Sequence, residues 1–128
     1  MTAVVLDASA ILAFLFDEPG AERVESAIGS SVASAVNWSE VAQRLLQRGA
    51  EVAVVRSQLV EAGLRIEPLS ADDAEHAAVL RPATRVLGLS LADRCCLALA
   101  GRLGARALTA DAAWAAAPSL GVRVEVIR

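Results

Sequence analysis

The chain is a succession of short apolar runs separated by stretches with helical spacing. Val4-Val5-Leu6 is a β-branched run that stops at Asp7, the pattern of a buried strand. The spacing next predicts a helix over Ala10–Phe16, capped by Ser9 and stopped by Asp17-Glu18-Pro19-Gly20. A second helix is expected over Ala21–Ile28, with Val24 and Ile28 one turn apart, broken by Gly29-Ser30-Ser31. Val32–Ala35 reads as a weak strand. Asn37 or Ser34 caps a helix reaching about Arg48, with Val41, Leu45 and Leu46 on its apolar face and Gly49 at its end. Glu51–Ala62 has Val52, Val55, Leu59 and Val60 at helical spacing and Gly63 as its stop. Leu64–Leu69 alternates and contains Pro68, which marks a short strand near a sheet edge. Ser70 and Asp73 have the spacing of a capping box and open a helix through Leu80. Arg81–Gly88 reads as a basic loop. Ser90 caps a strong helix over Leu91–Arg102, closed by Gly104. Ala107–Thr109 is a strand, Asp111 caps a short helix through Ala116, and Val122–Ile127 is the last strand.

Strand and helix patterns alternate throughout with no linker or repeat, which predicts an α/β fold with a mostly parallel sheet covered by helices on both faces. At 128 residues the expectation is one domain spanning 1–128, large enough to form a core without disulfides. Hydrophobic residues are 55% of the chain and aromatics only 3%, so aliphatic side chains must fill that core. The first seven residues carry no basic leader, and no apolar stretch approaches the roughly 20 residues of a membrane span. Cys95 and Cys96 are sequence neighbours that point about 100° apart on a helix, so they read as reduced core thiols. A cytoplasmic protein with no membrane partner is expected. All twelve basic residues are arginine, which excludes chemistry that needs lysine, such as Walker phosphate loops and Schiff bases. The net charge of −3 argues against nucleic-acid binding by bulk charge.

In parallel α/β sheets ligands bind beyond the carboxyl ends of the strands. Four acids fall near that edge. Asp7 follows the first strand and Asp111 closely follows the strand at Ala107–Thr109. Glu40 lies near the start of the helix after the second strand, and Asp93 in the first turn of the helix opened by Ser90. Taken singly, Asp93 or Asp111 reads as a helix cap or a first-turn acid favoured by the helix dipole. Four converging carboxylates repel one another unless a cation neutralises them, and a hard Mg²⁺ or Mn²⁺ ion suits oxygen ligands. The lone His76 and the core-like cysteines offer no zinc cluster.

Val4-Val5-Leu6-Asp7-Ala8-Ser9-Ala10, Asn37-Trp38-Ser39-Glu40-Val41, Leu89-Ser90-Leu91-Ala92-Asp93-Arg94 and Leu108-Thr109-Ala110-Asp111-Ala112-Ala113-Trp114 resemble the four acidic motifs of PIN domains, and more narrowly those of VapC-type ribonuclease toxins. The resemblance covers essentially the whole chain, in order. It implies a three-layer α/β/α sandwich and Mg²⁺- or Mn²⁺-dependent hydrolysis of RNA phosphodiesters by an endoribonuclease toxin. It implies Asp7, Glu40, Asp93 and Asp111 as the catalytic, metal-binding acids, with Asp7 and Asp93 as direct ligands. Ser9, Asn37 and Thr109 would orient carboxylates and waters. It also implies a homodimer and a small antitoxin partner.

RNA would be guided by arginines. Arg94, Arg81 and Arg85 are the candidate substrate contacts, with Arg44 and Arg48 as further candidates; pairing of Arg94 with a neighbouring carboxylate is the competing reading. The helix containing Ile11-Leu12-Ala13-Phe14-Leu15-Phe16 is apolar nearly all round, so it is either deeply buried or part of an interface, and a groove beside it is expected to accept an antitoxin helix. Two other functions remain compatible with the residues: a PIN nuclease of RNA processing outside any toxin system, and a non-catalytic PIN-like module that binds RNA or protein. Fifteen acids less the four at the site leave eleven against twelve arginines, so the net charge does not exclude an RNA substrate.

Overall fold

The computed structural model describes residues 3–116 and 120–128; Met1-Thr2, the start of the segment read above for a leader, lie outside them. Among the described residues five strands run parallel: β1 (Val4–Leu6), β2 (Ser31–Ser34), β3 (Arg65–Glu67), β4 (Arg106–Thr109) and β5 (Val124–Val126). Their order across the sheet is β3-β2-β1-β4-β5. β1 and β2 are buried along their length and β4 from Ala107 onward, which is why Val4-Val5-Leu6 and Ala107-Leu108 are continuously apolar. The edge strands β3 and β5 are only partly covered and carry mixed residues. Pro68 falls just beyond β3, where its missing N–H breaks no ladder.

The described residues hold seven α-helices between the strands: α1 (Ala8–Leu15), α2 (Ala21–Ala27), α3 (Ala35–Gln47), α4 (Val52–Ala62), α5 (Ala71–Val79), α6 (Arg81–Thr84) and α7 (Leu91–Leu103). Short 3-10 turns follow at Ile28–Ser30, Arg85–Leu87 and Ala112–Ala116. Alternate residues of β1 face opposite sides of the sheet. Val4 and Leu6 join Ile11, Val24, Val41, Leu45 and Leu59 from α1 to α4 on one side. Val5 packs with Val32, Leu97, Leu99, Cys96 and Trp114 on the other. The result is the three-layer α/β/α sandwich with its parallel sheet in the middle. Both cysteines are free and buried. No helix among the described residues is long and apolar enough to cross a membrane.

Several boundaries differ from those read in the sequence. Helix α1 begins at Ala8, and its cap is Asp7, whose carboxylate accepts from the Ala10 N–H; Ser9 lies inside the first turn. Ser34, not Asn37, caps α3. Asp73 donates its backbone N–H to Ser70, but its carboxylate turns to Arg102 in a two-pronged pair at 2.9 and 3.1 Å, joining α5 to α7. Arg81–Gly88 is helical for most of its length, because Pro82 sits in a first turn, where a proline loses no hydrogen bond, and Thr84 Oγ1 donates back to the Leu80 carbonyl. The last strand is shorter than Val122–Ile127, as befits a half-covered edge. Helix α1, apolar all round, is resolved as buried: Ala8 and Ala10–Ala13 have little exposure, and Phe14, Leu15 and Phe16 pack on the core.

Gly63 ends α4 at φ +125, and a Cβ there would meet Gly29 Cα at 2.6 Å and its carbonyl oxygen at 2.8 Å. Gly49 ends α3 at φ +72 with nothing within 4 Å of such a Cβ. Gly49→Ala is therefore expected to lose about 1 kcal/mol of stability in urea unfolding, and Gly63→Ala about 3 kcal/mol, because backbone must move as well. Equal losses would contradict this close approach of α4 to the turn before β2.

Candidate functional site

The carboxyl edge of the sheet is organised around Asp7. The Asp7 N–H continues the β1–β4 ladder by donating to Leu108. Its side chain is 3% exposed and is held on both oxygens. Oδ1 accepts from Ser9 Oγ at 2.7 Å and from the Ala10 N–H at 2.8 Å, and Oδ2 accepts from Thr109 Oγ1 at 2.6 Å. The two hydroxyls are themselves fixed, Ser9 Oγ accepting from the Ala110 N–H and Thr109 Oγ1 from the Asp111 N–H. A carboxylate offers about four lone-pair sites, so one remains open on Oδ2.

Two helices bring further acids. Asn37, 1% exposed on α3, donates its amide to Glu40 Oε1 at 3.4 Å and to the Ala92 carbonyl of α7 at 3.3 Å. That bridge sets α3 against the first turn of α7. There Asp93 completes a capping box: its Oδ2 accepts from the Ser90 N–H while Ser90 Oγ accepts from the Asp93 N–H. The cap reading of Asp93 is therefore correct, and it leaves Oδ1 without a partner among the described residues. The electrostatics place these acids together. The charge of Asp93 raises the pKa of both Asp7 and Glu40, and Cys96 beneath them feels Asp7, Asp93 and Glu40. Burial is the larger cause for each, and it pushes Asp7 up to about 6. Burial likewise raises Glu40, offset in part by the Asn37 hydrogen bond.

Asp111 stands apart. It is exposed, caps the 3-10 turn through the Ala113 N–H, and reaches Asp7 only through the Thr109 hydroxyl. Arg94 is 6% exposed, and its Nη1 donates to the Ala77 carbonyl of α5 at 2.8 Å. Among the described residues it pairs with no carboxylate, and a guanidinium so enclosed is closed to a phosphate arriving from solvent. Arg81 and Arg85 are exposed and make no ion pair among the described residues. The open space beside the acids is a cavity of about 370 Å³ between α1 and α3, lined by Ser9, Leu12, Glu40, Gln43 and Arg44. Gln43 escaped the sequence reading; its place one turn after Glu40 was the available signal. Arg48 instead stacks on the Phe16 ring, 4.0 Å from its centre.

Among the described residues no three His, Cys, Asp or Glu side chains stand close enough to form a ready-made metal cage. The donors nevertheless suit a hard divalent ion. They are carboxylate oxygens: a lone-pair site on Asp7 Oδ2, and Glu40 Oε2 and Asp93 Oδ1, which accept from no donor among the described residues; Mg²⁺ commonly takes only one or two carboxylates and keeps several waters. Asn37 Oδ1 is buried without a hydrogen-bond partner and adds one more oxygen acceptor next to Glu40.

A parallel three-layer sandwich with acids gathered at the carboxyl edge of its central strands is the architecture of a PIN domain. The PIN domain model matches residues 4–120, and the chain belongs to that family. Its fold is shared with a toxin–antitoxin complex from Klebsiella pneumoniae, 21% identical over 98% of both chains with a TM-score of 0.75. It is also shared with the DNA-bound VapBC of Salmonella typhimurium, 19% identical over the whole of both chains with a TM-score of 0.69. The sarcin–ricin-loop-cleaving toxin VapC20 of Mycobacterium tuberculosis is 21% identical over 94% of this chain and 98% of its own, with a TM-score of 0.67. No curated protein matches the sequence.

The burial of Asp7 has a pH signature. A carboxyl near 6 when folded and 3.8 when unfolded holds its proton more tightly in the folded chain, so stability falls as pH rises through that window. In metal-free protein, Asp7→Asn should gain on wild type by about 1 kcal/mol between pH 5 and pH 7 in urea unfolding. A constant difference across that range would mean that Asp7 is not a destabilised anion.

Proposed function

We propose that the chain is a divalent-metal-dependent endoribonuclease and acts as the toxin of a toxin–antitoxin pair, with residues 1–128 forming one catalytic domain. The observation that carries this reading is the buried Asp7 carboxylate, fixed on three hydrogen bonds yet raised to about 6, with Glu40 and Asp93 beside it. Such a site is relieved by a cation. Asp7 and Asp93 would hold Mg²⁺ or Mn²⁺ directly, and Glu40 and Asp111 directly or through water. The ion, when bound, would supply electrostatic stabilisation of the charge that builds on the phosphoryl oxygens.

The remaining work falls to the chain's own groups. Ser9 and Thr109 keep the Asp7 carboxylate in one orientation, and Asn37 does the same for Glu40. A raised pKa suits Glu40 to orient the attacking water and accept its proton. Arg44 lines the adjoining cavity without an acidic partner among the described residues and is the arginine best placed to take a neighbouring RNA phosphate. The toxin reading draws on the fold neighbours, among them a toxin–antitoxin complex and a sarcin–ricin-loop-cleaving toxin. An antitoxin segment seated in the cavity between α1 and α3, a homodimeric toxin and a cytoplasmic location complete the proposal.

The decisive assay incubates antitoxin-free protein with structured RNAs. Cleavage is expected with Mg²⁺ or Mn²⁺, none in EDTA, and a loss of about a hundredfold or more for Asp93→Asn, in which the amide oxygen can still accept from Ser90. Cleavage that survives EDTA, or persists undiminished in the variant, would sink the metal mechanism. A second measurement needs no substrate: Mg²⁺ should raise the melting temperature of wild type more than that of Asp7→Asn. An equal rise in both would remove Asp7 from the ligands.

A further inference from the structure

The opposite end of the sheet carries the reverse charge. Val4, Arg106 and Arg123 stand at or just before the amino ends of β1, β4 and β5, about 10 Å of strand away from the acid edge. With Arg23 and Ser26 of α2 and Ser30 before β2, they line a half-open cavity of about 330 Å³. Three arginines therefore line one hollow. The carboxylate among them is Glu125 of β5. It takes two N–H groups of Arg23, through Nε and through Nη2 at 3.0 Å, and a longer one from Arg106 Nη1 at 3.4 Å. Arg123 makes no ion pair and no side-chain hydrogen bond among the described residues.

One acid against three arginines leaves two positive charges uncompensated in a chain whose net charge is −3. Guanidiniums free to spread into water would separate. Here Arg23 is pinned by Glu125 and by Ser26 Oγ at 3.2 Å, and Arg106 is tethered to the same carboxylate. The remaining donors of Arg106, those of Arg123 and the Ser30 hydroxyl are left for a ligand. Planar guanidinium forks match the tetrahedral oxygens of phosphate, and an excess of two positive charges suits a phosphate dianion, or adjoining phosphodiesters, better than a single carboxylate. The cavity volume lies at the lower end of the range for small-molecule sites.

We propose that this arginine-lined cavity at the amino end of the sheet is a phosphate-binding site, separate from the acidic edge. A free phosphate or mononucleotide and an internal phosphate of an RNA strand present the same chemistry to it. The site owes nothing to the metal-dependent reaction, so it is tested without catalysis. The full chain is titrated calorimetrically in EDTA at constant ionic strength with inorganic phosphate, AMP, a short single-stranded RNA and, as carboxylate control, acetate. Saturable binding is expected in at least one phosphate arm and not with acetate. Arg123→Glu, at an exposed position without side-chain partners among the described residues, should weaken it by about tenfold or more, and Arg123→Lys, which keeps the charge but loses the fork, should weaken it less than Arg123→Glu does. Binding of phosphate and AMP identifies a free ligand; binding of RNA alone identifies the strand. Absence of saturable binding in every phosphate arm, equal binding of acetate, or an unchanged affinity in a folded Arg123→Glu protein overturns the proposal.

Discussion

The structure turns on one buried carboxylate. Asp7 ends the central strand, caps the first helix and takes the Thr109 hydroxyl from the neighbouring strand, so β1, α1 and β4 meet on its two oxygens. A residue with those three duties must be fixed and shielded from water, and both conditions destabilise its charge. The fold thus creates the electrostatic problem that a cation at the same place would relieve. Structure and chemistry are here two descriptions of a single set of hydrogen bonds.

Much of this was legible in the sequence because the central strands are unambiguous. Val4-Val5-Leu6 and Ala107-Leu108 are apolar without interruption since helices cover both faces, and the acids that follow them mark the carboxyl edge. The edge strand β5 was overextended, because its half-covered residues lack that signal. Asp7 and Ser9 are both good capping residues, and sequence cannot say which caps; the Ser9 hydroxyl is taken instead by Asp7 and the Ala110 N–H. Pro82 reads as a breaker unless it is known to occupy a first helical turn. Least legible were the polar groups that pack inward. The bridge from Asn37 to Ala92 and the burial of Arg94 against Ala77 depend on how helices cross, which no spacing reveals.

The modest net charge conceals a division along the strand direction. The carboxyl end of the sheet gathers Asp7, Glu40 and Asp93, whereas the amino end gathers Arg23, Arg106 and Arg123 around one glutamate. The ion pairs of the molecule follow the same economy. Arg102–Asp73 and Arg23–Glu125 tie elements together, while the acids at the carboxyl edge are left without cationic partners among the described residues. The two ends of the sheet therefore present opposite charge to a ligand, carboxylates at one and arginines at the other.

The four edge acids also differ in what else they do. Asp7, Asp93 and Asp111 each accept a backbone N–H that begins a helix or a 3-10 turn, whereas Glu40 receives only the Asn37 amide in the middle of α3. Substitutions at the four positions would therefore cost the fold unequally. A side chain that cannot accept the N–H at Asp7 or Asp93 leaves the start of α1 or α7 uncapped, whereas Asn keeps the acceptor oxygen. At Glu40 the carboxylate can be exchanged without touching a helix start, so this position separates the charge of the edge from its folding.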